Sequence, residues 1–135
     1  MSTMTGGEGK RMKTILCVDD DPAFLDSLRM ILEEAGYVVR TAQSAEAGLK
    51  AYKEAKPDLV LADLMMEEVD SGISLVKDIR ALGPTPPVYI FSSVGDGLNS
   101  SVDYSSLGVN GILQKPLNPE RLLATIEAQF RSVKD

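Results

Sequence analysis

The sequence predicts an α/β fold in which a parallel β-sheet is covered by helices on both faces. Short apolar runs alternate with amphipathic segments in five strand-then-helix units along the chain. The central run, residues 59–62, is uniformly apolar, as is typical of a strand buried on both faces of a parallel sheet. With 135 residues, of which 44% are hydrophobic and 25% charged, the chain suffices for one globular domain.

The first strand–helix unit begins with the apolar run 14–18, which ends on three consecutive acids. Asp21 is the predicted N-cap of the following helix, and Pro22 fits its first position. Gly36 is a natural stop for this helix. Its predicted buried stripe, at helical spacing, comprises Phe24, Leu28, Ile31, Leu32 and Ala35.

The second and third units follow the same pattern. A strand is predicted over residues 37–41, and Ser44 is the predicted N-cap of the next helix. Residues 58–62 form the third predicted strand, which leads directly into Asp63. The helix of this unit is expected over about residues 72–82.

The last two units include the least regular part of the chain. Residues 88–91 are predicted to form the fourth strand and residues 111–114 a brief fifth strand. Between them, the segment 94–108 is rich in glycine and serine, so only a short or mobile helix is expected there. Asn118 as N-cap and Pro119 at the first position mark the start of the final helix.

Strict alternation of strands and helices implies parallel strands joined by right-handed crossovers. No glycine-rich turn follows the first strand, so a dinucleotide-binding fold has no support. The remaining common arrangement is a flavodoxin-like (βα)5 doubly wound parallel sheet with strand order 2-1-3-4-5. The sequence therefore predicts one such domain over residues 13–133, preceded by a disordered leader or tag remnant at residues 1–12.

Composition excludes several classes of function. The net charge of −6 argues against direct nucleic-acid binding by this chain. With no histidine and one cysteine, zinc-type sites and histidine-based catalysis are excluded, so any metal must be a hard cation held by oxygen. Cys17 lies within an apolar run and is expected to be a buried, inert thiol. No membrane-spanning or signal-peptide pattern is present, so a cytoplasmic protein without a membrane partner is expected.

Polar side chains follow the ends of four predicted strands: Asp19 and Asp20 the first, Asp63 the third, Ser92 the fourth and Lys115 the fifth. Because parallel strands all end at one edge of the sheet, these side chains are expected to converge there. Neighbouring carboxylates repel one another, so the cluster needs a cation. Mg²⁺ suits it, since this ion takes one or two carboxylates and leaves room for phosphate oxygens. A solvated acidic rim would explain any single pair, whereas the full set favours a metal and phosphate site.

Four segments resemble the receiver domains of response regulators in two-component signalling. They are ILCVDDDP at 15–22, PDLVLADLMM at 57–66, YIFSS at 89–93 and GILQKP at 111–116. They occur in the family's order at matching separations, and the resemblance covers nearly everything from residue 13 to residue 131. It implies a CheY-like domain that accepts a phosphoryl group and signals through a conformational change.

The resemblance also implies roles for the acidic residues. Asp63 matches the residue that receives a phosphoryl group from a histidine kinase or histidine phosphotransfer protein. Asp20 and Asp63 match direct Mg²⁺ ligands, and the backbone carbonyl of Met65 matches a further ligand. Asp19 matches a residue that acts on the ion through a bound water.

Two further residues would act on the phosphoryl oxygens. By the same resemblance, Lys115 pairs first with Asp63 and then with a phosphoryl oxygen, while the Ser92 hydroxyl donates a hydrogen bond to another. Pro116 matches a proline whose preceding peptide bond is commonly cis. A carboxylate can attack phosphorus, and a metal ion with a lysine can neutralise the transition state, so the residue types agree with this chemistry.

The chain departs from the family pattern near the site. Ile112 stands where many receivers have a Tyr or Phe that moves inward upon phosphorylation, and it is expected to pack in the core instead. Glu67 replaces a usual proline, Ser71 is an extra residue in the same loop, and Ser93 replaces a small alanine. These changes bear on donor choice, phosphoryl lifetime and access to the site. The segment 94–108 is expected to change its order upon phosphorylation.

Two other functions match parts of this pattern. A degenerate receiver that acts as a phosphorylation-independent docking module would lack one of the acids or the lysine, and none is missing. A Mg²⁺-dependent phosphohydrolase would carry a second Asp two residues after the nucleophile, where Met65 stands, and a substrate-capping insert. The receiver interpretation predicts self-phosphorylation and autodephosphorylation without a separate substrate, and leaves the output partner open.

Overall fold

The computed structural model describes residues 12–64, 71–93 and 108–132, which form a parallel sheet flanked by helices. In chain order, the elements are β1 (Thr14–Val18), α1 (Pro22–Glu34), β2 (Val38–Ala42), α2 (Ala45–Glu54), β3 (Leu59–Asp63), α3 (Ser71–Arg80), β4 (Val88–Ser92), β5 (Gly111–Gln114) and α4 (Pro119–Ser132). Within these ranges, no helix combines the length and the apolar character that crossing a bilayer requires.

The five strands lie in the order β2-β1-β3-β4-β5, and every neighbouring pair is parallel. This confirms the predicted flavodoxin-like order 2-1-3-4-5. The register sets the carboxyl ends of the strands side by side, since Val18 pairs with Ala62 and Asp63 pairs with Phe91. All strands therefore open on one edge, called here the carboxyl edge, and begin at the opposite amino edge.

Two apolar layers lie on the two faces of the sheet, because successive residues of a strand point to opposite faces. In β1, Ile15 and Cys17 face the layer under α1 and α4, while Leu16 and Val18 face the layer under α2 and α3. Helices α1 and α4 contribute Leu25, Leu28, Leu32, Leu122 and Ile126 to the first layer. Helices α2 and α3 contribute Tyr52, Leu75, Val76 and Ile79 to the second.

The predicted helix starts agree with the structure. Asp21 accepts hydrogen bonds from the backbone N–H groups of Ala23 and Phe24, and Ser44 accepts one from Ala47. The side chain of Asn118 likewise accepts a hydrogen bond from the backbone of the first turn of α4. Each cap satisfies backbone donors that the first helical turn leaves without an intrahelical partner.

Some boundaries differ from the predictions, and the first helix explains two of these differences. Ala35 is exposed rather than buried because it is the C-cap of α1, while Leu25 takes the buried place. The backbone N–H of Tyr37 bonds to the carbonyl of Leu32 across Gly36, which has a φ of 101°. Tyr37 therefore belongs to the turn, and β2 starts one residue later than predicted.

The prediction that Ile112 packs in the core is wrong. Ile112 lies on β5, the outermost strand, and is 36% exposed. Its neighbour Leu113 points to the layer under α1 and α4 and is buried. Ile112 points to the opposite face of this outermost strand. The expected changes of order in the segment 94–108 concern residues that lie, apart from Gly108, outside the described ranges.

Candidate functional site

The end of β1 places two carboxylates at the carboxyl edge. The backbone N–H of Asp19 bonds to the carbonyl of Ala42 at the end of β2, which extends the sheet ladder by one residue. Asp19 is only 1% exposed, and its Oδ1 accepts a hydrogen bond of 2.9 Å from the backbone N–H of Asp21. Asp20, between them, is exposed. The chain thus presents one buried and one solvent-facing carboxylate at adjacent positions.

The end of β3 places the third carboxylate. Asp63 is the last residue of this strand and is 7% exposed. The next residue, Leu64, is held by a hydrogen bond from its backbone N–H to the carbonyl of Phe91. Helix α3 starts directly against this strand end, since a Cβ atom at Gly72 would collide with the backbone carbonyl of Asp63. Only glycine therefore permits this close approach.

The ends of β4 and β5 bring the hydroxyl and the ammonium to the same edge. The backbone N–H of Lys115 bonds to the carbonyl of Ser92, and the Lys115–Pro116 peptide bond is cis, as the sequence led us to expect. The Lys115 ammonium lies 3.0 Å from Asp19 Oδ2 and 3.3 Å from Asp63 Oδ1. Ser92 is fully buried, and its hydroxyl donates a hydrogen bond of 3.3 Å to the carbonyl of Ser93.

Burial and charge perturb the two central ionisable groups. Burial, together with the nearby carboxylate of Asp19, raises the pKa of Asp63 from 3.8 to about 6, although Lys115 opposes the shift. Burial disfavours the charged form of Lys115, but its hydrogen bond to Asp19 and the charges of Asp19 and Asp63 outweigh this and raise its pKa. One ammonium therefore does not offset the negative charge of the cluster.

The three carboxylates could hold a metal ion together. Asp19, Asp20 and Asp63 each offer an oxygen, and these oxygens all lie within 4.8 Å of one another. Opposite oxygens in a Mg²⁺ octahedron are separated by about 4 Å, so small side-chain rotations would close the group around this ion. A divalent cation would also balance the negative charge of three neighbouring carboxylates, of which two contact the Lys115 ammonium. Met65, the predicted source of a backbone ligand, lies outside the described residues.

Sequence reasoning missed one residue at this site. Phe24, assigned only to the buried stripe of α1, places its ring centroid 4.3 Å from the Lys115 ammonium. The ring also meets Phe91 edge to face, with the centroids 5.1 Å apart and the planes at 87°. A position at helical spacing predicts burial but does not predict a lysine partner, because that lysine comes from the far end of the chain.

Cys17 takes no part in this site. Its side chain is buried in the layer under α1 and α4, and burial raises the pKa of the thiol to about 12. The structure confirms the predicted burial of Cys17, and the raised pKa agrees with an unreactive thiol.

Comparison with known proteins identifies the same domain along most of the chain. The family model of the response regulator receiver domain matches residues 15–127. The transcriptional regulatory protein GlrR of Escherichia coli K12 is 37% identical over 113 residues, which are 84% of this chain and 25% of GlrR. The response regulator MprA of Mycobacterium leprae is 33% identical over 120 residues, which are 89% of this chain and 52% of MprA.

Solved structures agree with the sequence relatives. A CheY-like response regulator receiver domain from Methanospirillum hungatei JF-1 superposes with a TM-score of 0.78 at 30% identity, covering 90% of this chain and 96% of that one. The chemotaxis response regulator CheY4 of Vibrio cholerae gives a TM-score of 0.78 at 28% identity, covering 88% of this chain and 99% of that one. The chain thus spans a quarter to about half of GlrR and MprA, but nearly all of these two structures.

Proposed function

The chain belongs to the response regulator receiver family of two-component signalling, and from this premise we propose that Asp63 is its phosphoacceptor. In this proposal, Asp63 receives a phosphoryl group from a histidine kinase or histidine phosphotransfer protein. The domain, over residues 13–133, then signals through a changed surface. The observation that carries the proposal is the position of the Lys115 ammonium, which touches both Asp63 and Asp19 at the carboxyl edge.

The proposed step is an in-line displacement at phosphorus. An Asp63 carboxylate oxygen forms a bond to phosphorus, the P–N bond of the donor phosphohistidine breaks, and its electron pair stays on the imidazole nitrogen. With a pKa of about 6, most Asp63 side chains are ionised at neutral pH and available as nucleophiles. The products are an aspartyl phosphate and a free histidine on the donor. Because this chain contains no histidine, the phosphohistidine donor lies outside it.

Lys115 and Ser92 would then contact the transferred phosphoryl group. Lys115 lies within reach of Asp63 and would neutralise a phosphoryl oxygen once the carboxylate has become an acyl phosphate. The buried Ser92 hydroxyl, at the end of the neighbouring strand, would turn from the Ser93 carbonyl to another phosphoryl oxygen. Asp20, Asp63 and the Met65 carbonyl would hold Mg²⁺ directly and Asp19 would do so through a water, and the bound ion would supply further positive charge to the transferred group.

The proposed reaction involves no separate substrate. We assign to this chain only self-phosphorylation from a phosphodonor and slow autodephosphorylation by water. We place the protein in the cytoplasm, where a kinase or phosphotransfer donor would meet it. GlrR is described as a transcriptional regulatory protein, and this chain spans only 25% of its length, so the output partner of this chain stays open.

Labelling by a small phosphodonor such as acetyl phosphate in the presence of Mg²⁺ tests the proposal. We expect wild-type protein to incorporate one phosphoryl group and the Asp63→Asn variant to incorporate none. Asp58→Asn is the matched control, since Asp58 immediately precedes the same strand at its opposite end. Equal incorporation by wild type and Asp63→Asn would refute the assignment of Asp63.

A further inference from the structure

We infer that Phe24 is a positioning residue for Lys115, whose ammonium it holds at the gap between Asp19 and Asp63 during phosphoryl transfer. The inference rests on the proposed function, because it concerns the same lysine and the same acceptor. The ring faces a cation at 4.3 Å, well inside the distance of about 6 Å at which a cation–π attraction is significant. Among the described contacts, the ring reaches the polar group through the Lys115 ammonium, so Phe24 would act through that residue.

The ring itself is held firmly. Phe24 lies in the first turn of α1, where its backbone N–H is bound by Asp21 Oδ1 at 3.4 Å. Its ring packs edge to face on Phe91, which is 2% exposed and belongs to the layer under α1 and α4. An aromatic pair in this geometry prefers one relative orientation. The face that meets Lys115 is therefore fixed by the core rather than by the lysine.

The contacts form a closed circuit at the carboxyl edge. Asp19 Oδ2 binds the Lys115 ammonium and Asp19 Oδ1 accepts the backbone N–H of Asp21. Asp21 in turn binds the backbone N–H of Phe24, whose ring meets the same ammonium. A shift of the Lys115 ammonium would thus break its contacts with both the Asp19 carboxylate and the Phe24 ring. Both of these groups are connected to the start of α1 through Asp21.

The chemistry explains why such a support would matter. Lys115 reaches the site on a flexible four-carbon chain, and its side chain is 20% exposed to solvent. During transfer, Asp63 changes from a carboxylate to an acyl phosphate, so the oxygen that attracts the ammonium is altered. Asp19 and the Phe24 ring are partners of the ammonium that do not change during the step. The ring helps to keep the ammonium in place while its partner Asp63 is altered.

Graded fluorination of the ring tests this role with little change in shape. Phenylalanine analogues with one, two and three ring fluorines would be placed at position 24 by nonsense suppression, because fluorine progressively removes the negative face of the ring. We expect the rate constant for acetyl phosphate labelling at Asp63 to fall stepwise, by about threefold to tenfold in total. The matched control is the same series at Phe130, whose ring meets Lys13 at 5.4 Å at the amino edge.

The outcomes separate this inference from the proposed function. If labelling depends on Asp63 but its rate is unchanged across the series at position 24, the role of Phe24 is refuted while the acceptor assignment stands. An equal loss for the series at position 130 would also refute it, because the effect would then reflect general packing. If wild type is not labelled at all, the proposed function fails first.

A double-mutant cycle distinguishes positioning from support of the fold. Phe24→Leu keeps an apolar side chain and should slow labelling severalfold in the wild-type background but not in a Lys115→Met background. Phe24→Tyr retains the aromatic ring face, so this variant should be labelled at the wild-type rate. The NMR signals of the Lys115 ε-methylene protons, displaced by the ring current, should move toward random-coil values in Phe24→Leu only. An equal slowing in both lysine backgrounds would mean that Phe24 acts through the core, which would overturn the inference.

Discussion

Both edges of the sheet carry lysine, phenylalanine and aspartate side chains, but in different proportions. At the amino edge, Lys13 lies 5.4 Å from the ring of Phe130, and Asp58 accepts a hydrogen bond of 2.7 Å from the backbone N–H of Thr14. A cavity of about 130 Å³ lies among Lys13, Asp58, Pro87 and Phe130. At the carboxyl edge, Lys115 meets the ring of Phe24 at 4.3 Å and touches two aspartates.

The difference shows that a lysine, a ring and an aspartate do not make a reactive site by themselves. At the amino edge, the Asp58 carboxylate is engaged by the backbone of β1, and Lys13 is exposed. At the carboxyl edge, three carboxylates lie together, the partly buried Lys115 ammonium contacts two of them, and Asp63 has a raised pKa. Unbalanced negative charge under partial burial distinguishes the carboxyl edge, and four predictions test this distinction.

Removing the lysine charge should have the largest effect. Lys115→Met should slow acetyl phosphate labelling of Asp63 by roughly 10²-fold, because a preorganised positive group at the transferring phosphoryl is lost. Lys13→Met, the corresponding change at the amino edge, should leave the rate within about twofold of wild type. Quench-flow or time-course labelling measures both. Equal slowing in the two variants would remove the functional difference between the edges.

Binding of Mg²⁺ should stabilise the fold through the carboxyl edge alone. At 100-fold excess over its dissociation constant, the ion should add about 2.7 kcal/mol to the free energy of unfolding. EDTA should remove this gain. Denaturant titrations should find most of the gain lost in Asp20→Asn, whose side chain is exposed, and retained in Asp58→Asn. A full Mg²⁺ effect in Asp20→Asn would contradict the metal assignment.

The raised pKa of Asp63 should make metal-free protein less stable as pH rises. Well below pH 3.8, Asp63 is protonated in both the folded and the unfolded state, and its contribution is fully present. Between pH 3.8 and about 6, the unfolded state loses the proton while the folded state keeps it. The contribution of Asp63 therefore declines over this range and is fully lost once the pH has passed the folded pKa.

Asp63→Asn has no carboxyl group that titrates at this position, and unfolding in EDTA measures the difference. From pH 4 to 7.5, the free energy of unfolding of the variant relative to wild type should rise by about 2 kcal/mol. A parallel pH dependence of the two proteins would contradict the burial of a charged Asp63. Asp58→Asn again serves as the control.

The smallest expected effect belongs to the amino edge. Asp58→Ala leaves the backbone N–H of Thr14 without this side-chain acceptor, which should lower the free energy of unfolding by about 1 kcal/mol. Labelling of Asp63 should be unchanged, since no residue of the carboxyl edge is altered. Urea titration and the labelling assay measure the two effects separately. A loss of labelling at unchanged stability would show that the two edges are coupled.

Local patterns in the sequence predicted most elements and most of the site. β1 and β5 have the predicted bounds, and for β1 an apolar run marks a buried parallel strand directly. The carboxylates, the hydroxyl and the lysine were found because each follows a strand end. The exposure of Ile112 was missed, since no periodicity along one strand reveals whether that strand lies at the margin of the sheet.

By itself, the sequence determined the order of strands and helices, the helix caps and the side chains that arrive at the carboxyl edge, since these depend on neighbours a few residues apart. Only the tertiary structure decided that Lys115 bonds to Asp19, 96 positions away, more closely than to Asp63, and that Phe24 faces the same ammonium. Such contacts depend on the sheet register and on the packing of α1 against β4. No local pattern encodes either of them, because both arise from the joint burial of distant apolar side chains.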